Sequence, residues 1–285
     1  MTGTLYLCAT PIGNLGDMTM RCIETLNEVD LIAAEDTRNS IKLLNHFNIK
    51  TPMTAYHEFN KYDKAKVLVS ELLNGKNIAL ITDAGTPGIS DPGEVLVKEC
   101  YDNDISVTSL PGCCALVNAL IISGLPTRRF CFEAFLPSDK KERSFILEEL
   151  INETRTIIIY EAPHHLKKTL KELYEVLGNR QIALCKELTK KFENVFRTNL
   201  SDAISYYEEN EPKGEYVLVL SGKNRKDIIL ETRTQYENMS LEEHMNIYLD
   251  MGVEKKEAMK KVALDRGISK RDVYNQLLNV DKTDK

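Results

Sequence analysis

No apolar run in the 285-residue sequence is long enough to span a bilayer; stretches such as 78–81 and 156–160 are far too short for a membrane helix. The N-terminal MTGTLYLCATP has no basic n-region, so no secretory leader is expected and a cytoplasmic location is. Seven cysteines are present without a CxxC or mixed Cys/His ligand spacing. Reduced thiols within apolar stretches are therefore expected, and no metal centre. The five histidines do not gather into ligand spacing either. Gly-Lys-Ser/Thr and GxGxxG are both missing, which excludes a Walker A loop and a dinucleotide-binding fingerprint. There is no internal repeat and no low-complexity tract. Positive charge is also short: the net charge of −6 excludes a generally polyanion-binding surface and leaves room only for a local basic patch.

What is there is an ordinary folded composition, 42% hydrophobic and 28% charged, in a chain long enough for two α/β lobes and an appendage. Short apolar runs at 4–10, 30–34, 77–82 and 105–109 read as strands of a mainly parallel sheet. Met18, Cys22, Ile23, Leu26 and Val29 recur at helical spacing, and further helices are predicted over 37–47 and 63–74. A second series alternates strands at 130–135, 156–160 and 181–185 with helices at 140–151 and 165–177. The runs 195–198 and 215–220, flanking a helix at 201–207, lack a long crossover before the first of them. Antiparallel pairing and a mixed sheet are expected there.

The expected division is a first lobe over 1–123, ending at the Ser-Gly-Leu-Pro turn, a second over 124–223, and a helical tail over 232–281. Residues 222–238 read as a polar linker. Ser240 with Glu243 and Ser269 with Asp272 have capping-box spacing, and Gly252 and Gly267 suit helix ends. The tail then resembles a helix-turn-helix unit. Its segment 252–272 is locally basic through Lys255, Lys256, Lys260, Lys261, Arg266, Lys270 and Arg271, either a nucleic-acid contact or a solvated face.

The most informative segment is Thr82-Asp83-Ala84-Gly85-Thr86-Pro87-Gly88-Ile89-Ser90-Asp91-Pro92-Gly93, between a strand and a helix. Asp91 is expected to cap the helix, with Pro92 at its first position and Glu94 completing a capping box. Small residues at the carboxyl end of a strand let backbone approach a ligand closely. The loop carries carboxylates and no base, so it repels phosphate and suits a cation such as a sulfonium or an ammonium.

Several separated motifs extend this reading. Leu7-Cys8-Ala9-Thr10-Pro11-Ile12-Gly13-Asn14-Leu15-Gly16-Asp17, Ala34-Glu35-Asp36-Thr37-Arg38 and the 83–93 loop occur in the same order as in one family. Tyr160-Glu161-Ala162-Pro163-His164-His165, Lys186-Glu187-Leu188-Thr189-Lys190 and Gly214-Glu215-Tyr216-Val217-Leu218 follow. Together they resemble the bacterial small-subunit (16S) ribosomal RNA cytidine 2'-O-methyltransferase family of the tetrapyrrole-methylase superfamily, which is similar in fold to diphthine synthase and the precorrin methylases. One departure is Cys113 in Pro111-Gly112-Cys113-Cys114-Ala115, where the family varies less.

The resemblance implies a two-lobed tetrapyrrole-methylase fold, S-adenosylmethionine as cofactor, a homodimer, and a cytidine of the decoding region in the small ribosomal subunit as target. It implies cofactor contacts at Pro11, at Ala84, Gly85, Thr86, Pro87, Gly88, Ile89 and Ser90, and at Cys114 and Ala115. On the second lobe the corresponding positions are Tyr160, Glu161, Ala162, Pro163 and Val217. Glu35, Asp36 and Glu187 are candidates for the base that takes the hydroxyl proton, or else structural partners of cations and helix ends. Arg38 and Lys190 are candidates to hold RNA phosphates. A methylase of corrinoid or sirohaem precursors is the rival enzyme; an RNA-binding assembly factor that has lost catalysis is the rival of another class.

Overall fold

The computed structural model describes residues 2–283, with side chains to 277. Its first sheet is built from β1 (Thr4–Cys8), β2 (Leu31–Ala34), β3 (Met53–Ala55), β4 (Ile78–Ile81) and β5 (Ser106–Leu110), in the order β3-β2-β4-β1-β5, all parallel. Helices α1 (Met20–Glu28), α2 (Thr37–His46), α3 (Lys61–Leu73) and α4 (Gly93–Asp102) make the crossovers. Ile78, Ala79, Leu80 and Ile81 are all buried because helices cover both faces of this central strand, hence the unbroken apolar run. One core packs Leu5, Leu68, Leu72 and Leu96 under α3 and α4; a second packs Cys8, Cys22, Leu26 and Leu44 under α1 and α2.

After α5 (Ala115–Ser123) the chain enters a second sheet: β6 (Phe130–Phe135), β7 (Thr156–Glu161), β8 (Gln181–Lys186), β9 (Asn194–Asn199) and β10 (Tyr216–Leu220), with helices α6 (Lys140–Glu149), α7 (Pro163–Leu177) and α8 (Leu200–Glu209). The order is β6-β7-β10-β8-β9; only β6 and β7 run parallel, and β10 is antiparallel to both its neighbours. Val217, Val219, Ala183, Cys185 and Ile158 point to one face and pack on Leu116, Ala119 and Leu120 of α5. The mixed character expected from the short 185–195 connection is present.

The remaining helices are α9 (Arg225–Gln235), α10 (Leu241–Asp250), α11 (Lys255–Arg266) and α12 (Lys270–Thr283). The chain divides into two compact units. One holds both sheets and runs to Ser221, omitting the short stretch Glu149–Arg155; the other joins that stretch to the chain from Gly222 onward. Inside this second unit Leu241, Met245, Ala258, Val262 and Val273 form a small core. Ser240 and Glu243 make the expected reciprocal capping box, the Ser269 hydroxyl accepts from the Asp272 amide, and Gly267 closes α11 in the left-handed region. His244 is completely buried, stacked on Tyr236 at 3.7 Å, while Arg266 donates to its Nδ1 at 3.1 Å and to the carbonyls of Met239 and Ser240. Arg266 thus serves the fold of this unit.

Three local expectations need correcting. The 222–238 segment is not a linker: α9 occupies most of it, started by the Asn224 side chain accepting from the Lys226 amide. None of its residues is buried, so it has no apolar stripe to reveal a helix by periodicity. The strand β3 was missed because three residues after Pro52 are too few to show alternation. At α4 the cap is Pro92, not Asp91. The Asp91 carboxylate instead accepts from the amides of Gly88 and Gly93, tying the loop to the first turn. Among the described residues no helix is long and apolar enough to cross a membrane, and no disulfide joins any two of the cysteines.

Candidate functional site

The order β3-β2-β4-β1-β5 places the carboxyl ends of β1 and β4 side by side, at the position where open parallel sheets take ligands. There the loops after β1 and β4 are joined: Thr10 and Gly85 exchange both backbone hydrogen bonds, at 2.9 and 3.0 Å. The Thr10 hydroxyl donates to the Thr82 carbonyl at 3.1 Å. Gly85 sits at φ 89°, where a side chain would be strained. The loop after β5 closes the floor, because Thr86 Oγ1 donates to the Cys113 carbonyl at 2.9 Å. A Cβ on Gly112 would come within 2.6 Å of the Ala9 Cβ, so only glycine lets these two loops approach.

These loops and the end of the second sheet enclose a cleft of 390 Å³. Ala84, Gly85, Thr86, Ile89, Cys114 and Ala115 line it from the first sheet; Tyr160, Glu161, Ala162, Pro163 and Val217 line it from the second. Ile12, Phe135, Cys185, Leu188, Glu215 and Tyr216 also line it, and the sequence reading did not assign them to the cofactor site. Pro11, Pro87, Gly88 and Ser90 do not reach the cavity, although Gly88 and Ser90, both at positive φ, shape the loop. The Tyr160 hydroxyl accepts from the Leu116 amide at 3.1 Å, fixing the start of α5 against the second sheet.

Glu161 is a buried carboxylate in this wall, 5% exposed. Its Oε1 accepts from the Ala162 amide at 2.8 Å and its Oε2 accepts from Thr169 Oγ1. Arg143, 8% exposed, donates to the same Thr169 hydroxyl at 2.7 Å and to Glu172 at 2.7 Å. The cleft lining therefore contains two carboxylates, Glu161 and Glu215, and no lysine or arginine among the described residues. Such a lining tolerates a cation and disfavours a phosphate.

Next to the loop stands a cluster of acids. Glu35 Oε2 accepts from Thr82 Oγ1 at 2.6 Å, and Asp83 accepts from the Asp36 amide at 3.2 Å and from Asn39 at 3.4 Å. Asp36 itself caps α2 and makes a two-pronged pair with Arg38, which holds its carboxyl down at about 2. Asp83 moves the other way: partial burial and the nearby Glu35 charge raise its carboxyl from the ordinary aspartate value, outweighing the Asn39 hydrogen bond. Across the cleft, Glu187 accepts from Lys190 at 2.9 Å and from the Glu215 amide at 2.9 Å. Burial works against its ionised form, yet these donors leave its carboxyl lowered. Lys190 is further held by Glu215 at 2.8 Å. Its charge is thus shared between two carboxylates, while Arg38 is 88% exposed but tied to Asp36. In the helical unit Lys255, Lys256, Lys260, Lys261 and Arg271 are exposed and Lys270 half-buried; Lys260 pairs with Glu257, and Lys261 lies over the Tyr248 ring.

Residues 4–204 match the family model described as Tetrapyrrole (Corrin/Porphyrin) Methylases. The chain belongs to the tetrapyrrole methylases. Among the relatives of this tetrapyrrole methylase, the protein named ribosomal RNA small subunit methyltransferase I from Halalkalibacterium halodurans is 48% identical over 96% of this chain and 94% of its own length. The proteins of the same name from Synechocystis sp. and Bacillus subtilis are each 46% identical, over 98% and 96% of this chain and 99% and 93% of theirs. Solved structures share the fold at low identity. Diphthine synthase superposes with a TM-score of 0.60 at 13% identity, covering 78% of this chain and 91% of its own; uroporphyrin-III-C-methyltransferase from Thermus thermophilus gives 0.55 at 18%, covering 77% and 94%.

The methyl donor of tetrapyrrole methylases such as this one is S-adenosylmethionine. The cleft fits it by its own chemistry: apolar and aromatic walls for an adenosine, small residues that expose backbone groups, and acids without bases beside a sulfonium and an ammonium.

Proposed function

We propose that this methyltransferase modifies the 2'-hydroxyl of a cytidine in the decoding region of 16S ribosomal RNA, within the small ribosomal subunit. The observation that carries the reading is a base-free, carboxylate-bearing cleft in a chain that aligns almost end to end with relatives named for small-subunit ribosomal RNA. The fold alone is shared with a porphyrinoid methylase, so it does not separate the two substrate classes; the alignment favours RNA. Exposed Val117 and Ile121 on α5 support a homodimer.

When bound, S-adenosylmethionine supplies a sulfonium methyl group to the incoming hydroxyl oxygen, whose proton must then leave. The joined loops at Thr10 and Gly85 hold the floor rigid, so alignment of the reactants is set before the RNA arrives. Asp83, directly before Ala84, is a better proton acceptor than Asp36 or Glu187, whose carboxyls are both lowered. Its raised carboxyl binds a proton more readily than Asp36, whose oxygens are committed to Arg38. Asp36 and Glu187 position neighbouring groups: the first starts α2, the second fixes the 187–193 bend against Glu215.

The direct test incubates the protein with labelled S-adenosylmethionine and small subunits from unmodified cells and maps the product. A single labelled ribose at a cytidine of the decoding region is expected; label on a base, or none on RNA but some on a porphyrinoid acid, overturns the reading. Calorimetry with the donor separates the enzyme from a non-catalytic binding protein. The helical unit supplies phosphate contacts in this reading. Replacing Lys255, Lys256, Lys270 and Arg271 together by alanine should lower the slope of log affinity against log salt by roughly 3, about 0.7 to 0.9 per lost contact. An unchanged slope would show those side chains to be a solvated face.

A further inference from the structure

A second cavity, of 720 Å³, opens on the face of the second sheet opposite α5, bounded by β8, β9, the end of α8 and the 187–193 bend. Its aromatic lining is stepped: the Phe196 and Tyr206 rings lie 5.0 Å apart, and Tyr206 meets Tyr207 edge-on at 5.0 Å. At its rim Phe192 is 71% exposed and Tyr206 47% exposed. The Lys191 ammonium lies over the exposed Phe192 ring, 5.7 Å from its centroid, so cation and ring stand together at the rim.

Lys186, Lys191 and Lys213 surround these rings, and none of them forms an ion pair among the described residues. The two acids of the rim are engaged elsewhere. Glu193 accepts from the Thr189 amide at 2.5 Å, and Glu211 pairs with Lys167 at 2.7 Å. Uncompensated ammonium groups around stacking surfaces are the arrangement that seats an unpaired nucleic-acid strand: lysines meet phosphates as point charges, and each base offers a face to a ring.

The position relative to the methyl-transfer cleft matters as much as the composition. Tyr216 borders both cavities, and the bend that follows Lys186 sends Leu188 into one cleft and Phe192 to the rim of the other. That bend is held stiffly. Glu187 and Thr189 both adopt positive φ, 51° and 63°, which non-glycine residues rarely do without support from their surroundings. Backbone bonds from Lys190 to Glu187 and from Glu193 to Lys190 supply part of that support.

We infer that this aromatic and lysine groove binds single-stranded RNA next to the target nucleotide, stacking a neighbouring base on Phe192 and Tyr206 and meeting its phosphates with Lys186, Lys191 and Lys213. The inference rests on the RNA reading above and assigns it a second contact surface, on the unit that carries the donor cleft. It requires no sequence preference, since stacking accepts any base.

The test uses the full chain and a fluorescently labelled 12-nucleotide oligouridylate, read by anisotropy, beside methylation of small subunits. Phe192→Ala is expected to weaken oligouridylate binding by about ten-fold, in line with loss of one stacked base. It should raise KM for the subunit with kcat and donor affinity unchanged, and Phe192→Trp should restore both. Lys191→Ala with Lys213→Ala should lower the salt slope by about 1.4, two single-strand contacts. If both variants bind the oligonucleotide like the wild type while wild-type methylation proceeds, the groove is not an RNA site and the enzyme reading stands. If they lose subunit affinity but keep oligonucleotide affinity, the groove holds a protein, and the inference is overturned. Phe192-dependent oligonucleotide binding without subunit methylation would support the groove and remove the methylation reading.

Discussion

Arg143→Met should lower the free energy of unfolding by about 2 to 3 kcal/mol, because it takes a buried donor from several acceptors, while Glu172 keeps only its longer pair with Lys168 at 3.5 Å. The guanidinium is almost completely enclosed. It donates to Glu172, to Thr169 and to the carbonyls of Leu136 and Pro137, so four acceptors lose a donor at once. In a unit of this size the corresponding fall in melting temperature is on the order of 10 °C. The effect reaches the donor cleft through one side chain. Thr169 shares its hydroxyl between Arg143 and Glu161, and Glu161 lies in the cleft wall. Donor affinity should therefore fall in Arg143→Met even at temperatures where the variant is folded. Arg143→Lys keeps the charge but not the planar fork and should recover only part of the stability. Denaturant titrations of the three proteins, with calorimetry at low temperature, check this; equal midpoints would show that the network contributes nothing.

Asp83→Asn is expected to reduce kcat by about 10² to 10⁴ with donor affinity nearly unchanged, the range for loss of a positioned general base. The pH dependence gives the sharper readout. A base works only when deprotonated, so activity is present above its folded-state value and is lost as pH falls through it. Because the Asp83 carboxyl is raised, the acid limb of kcat should lie at higher pH than an ordinary aspartate would place it. Asp36, held at about 2, cannot produce that limb. Asp36→Asn should lower activity through the loss of its hold on Arg38 and α2, with the limb kept but displaced slightly to lower pH, because the Asp36 charge is a minor contributor to raising Asp83. A wild-type profile flat down to pH 4, or full turnover in Asp83→Asn, would remove the assignment.

The two sheets and the loop carrying Gly85 were legible in the sequence because each rests on local chemistry. Fully apolar runs such as 78–81 can only be buried strands or helices, and the small-residue segment between strand and helix marks a ligand approach by itself. Phe135, Cys185, Leu188 and Tyr216 were not legible as cleft residues. Which face of a strand meets the cleft depends on where that strand lies in the sheet, and β10 enters the centre only through pairing with β7 and β8. The Asp36 and Arg38 pair was foreseen as one of two readings, and Lys190 was read as a candidate to hold an RNA phosphate; its partner Glu215 lies 25 residues away, beyond any local pattern. The helix α9 escaped because its apolar residues, Ile228, Ile229 and Leu230, are consecutive and do not recur at helical spacing.

The mutual bonds of Thr10 and Gly85 bear on traffic through the enzyme. Two segments fastened to each other at the bottom of a basin cannot swing apart to admit or release a molecule, and that stiffness spares the donor the entropic cost of ordering them. Exchange of spent donor for fresh is then left to the opposite rim, where Phe135 and Glu215 stand mostly in solvent.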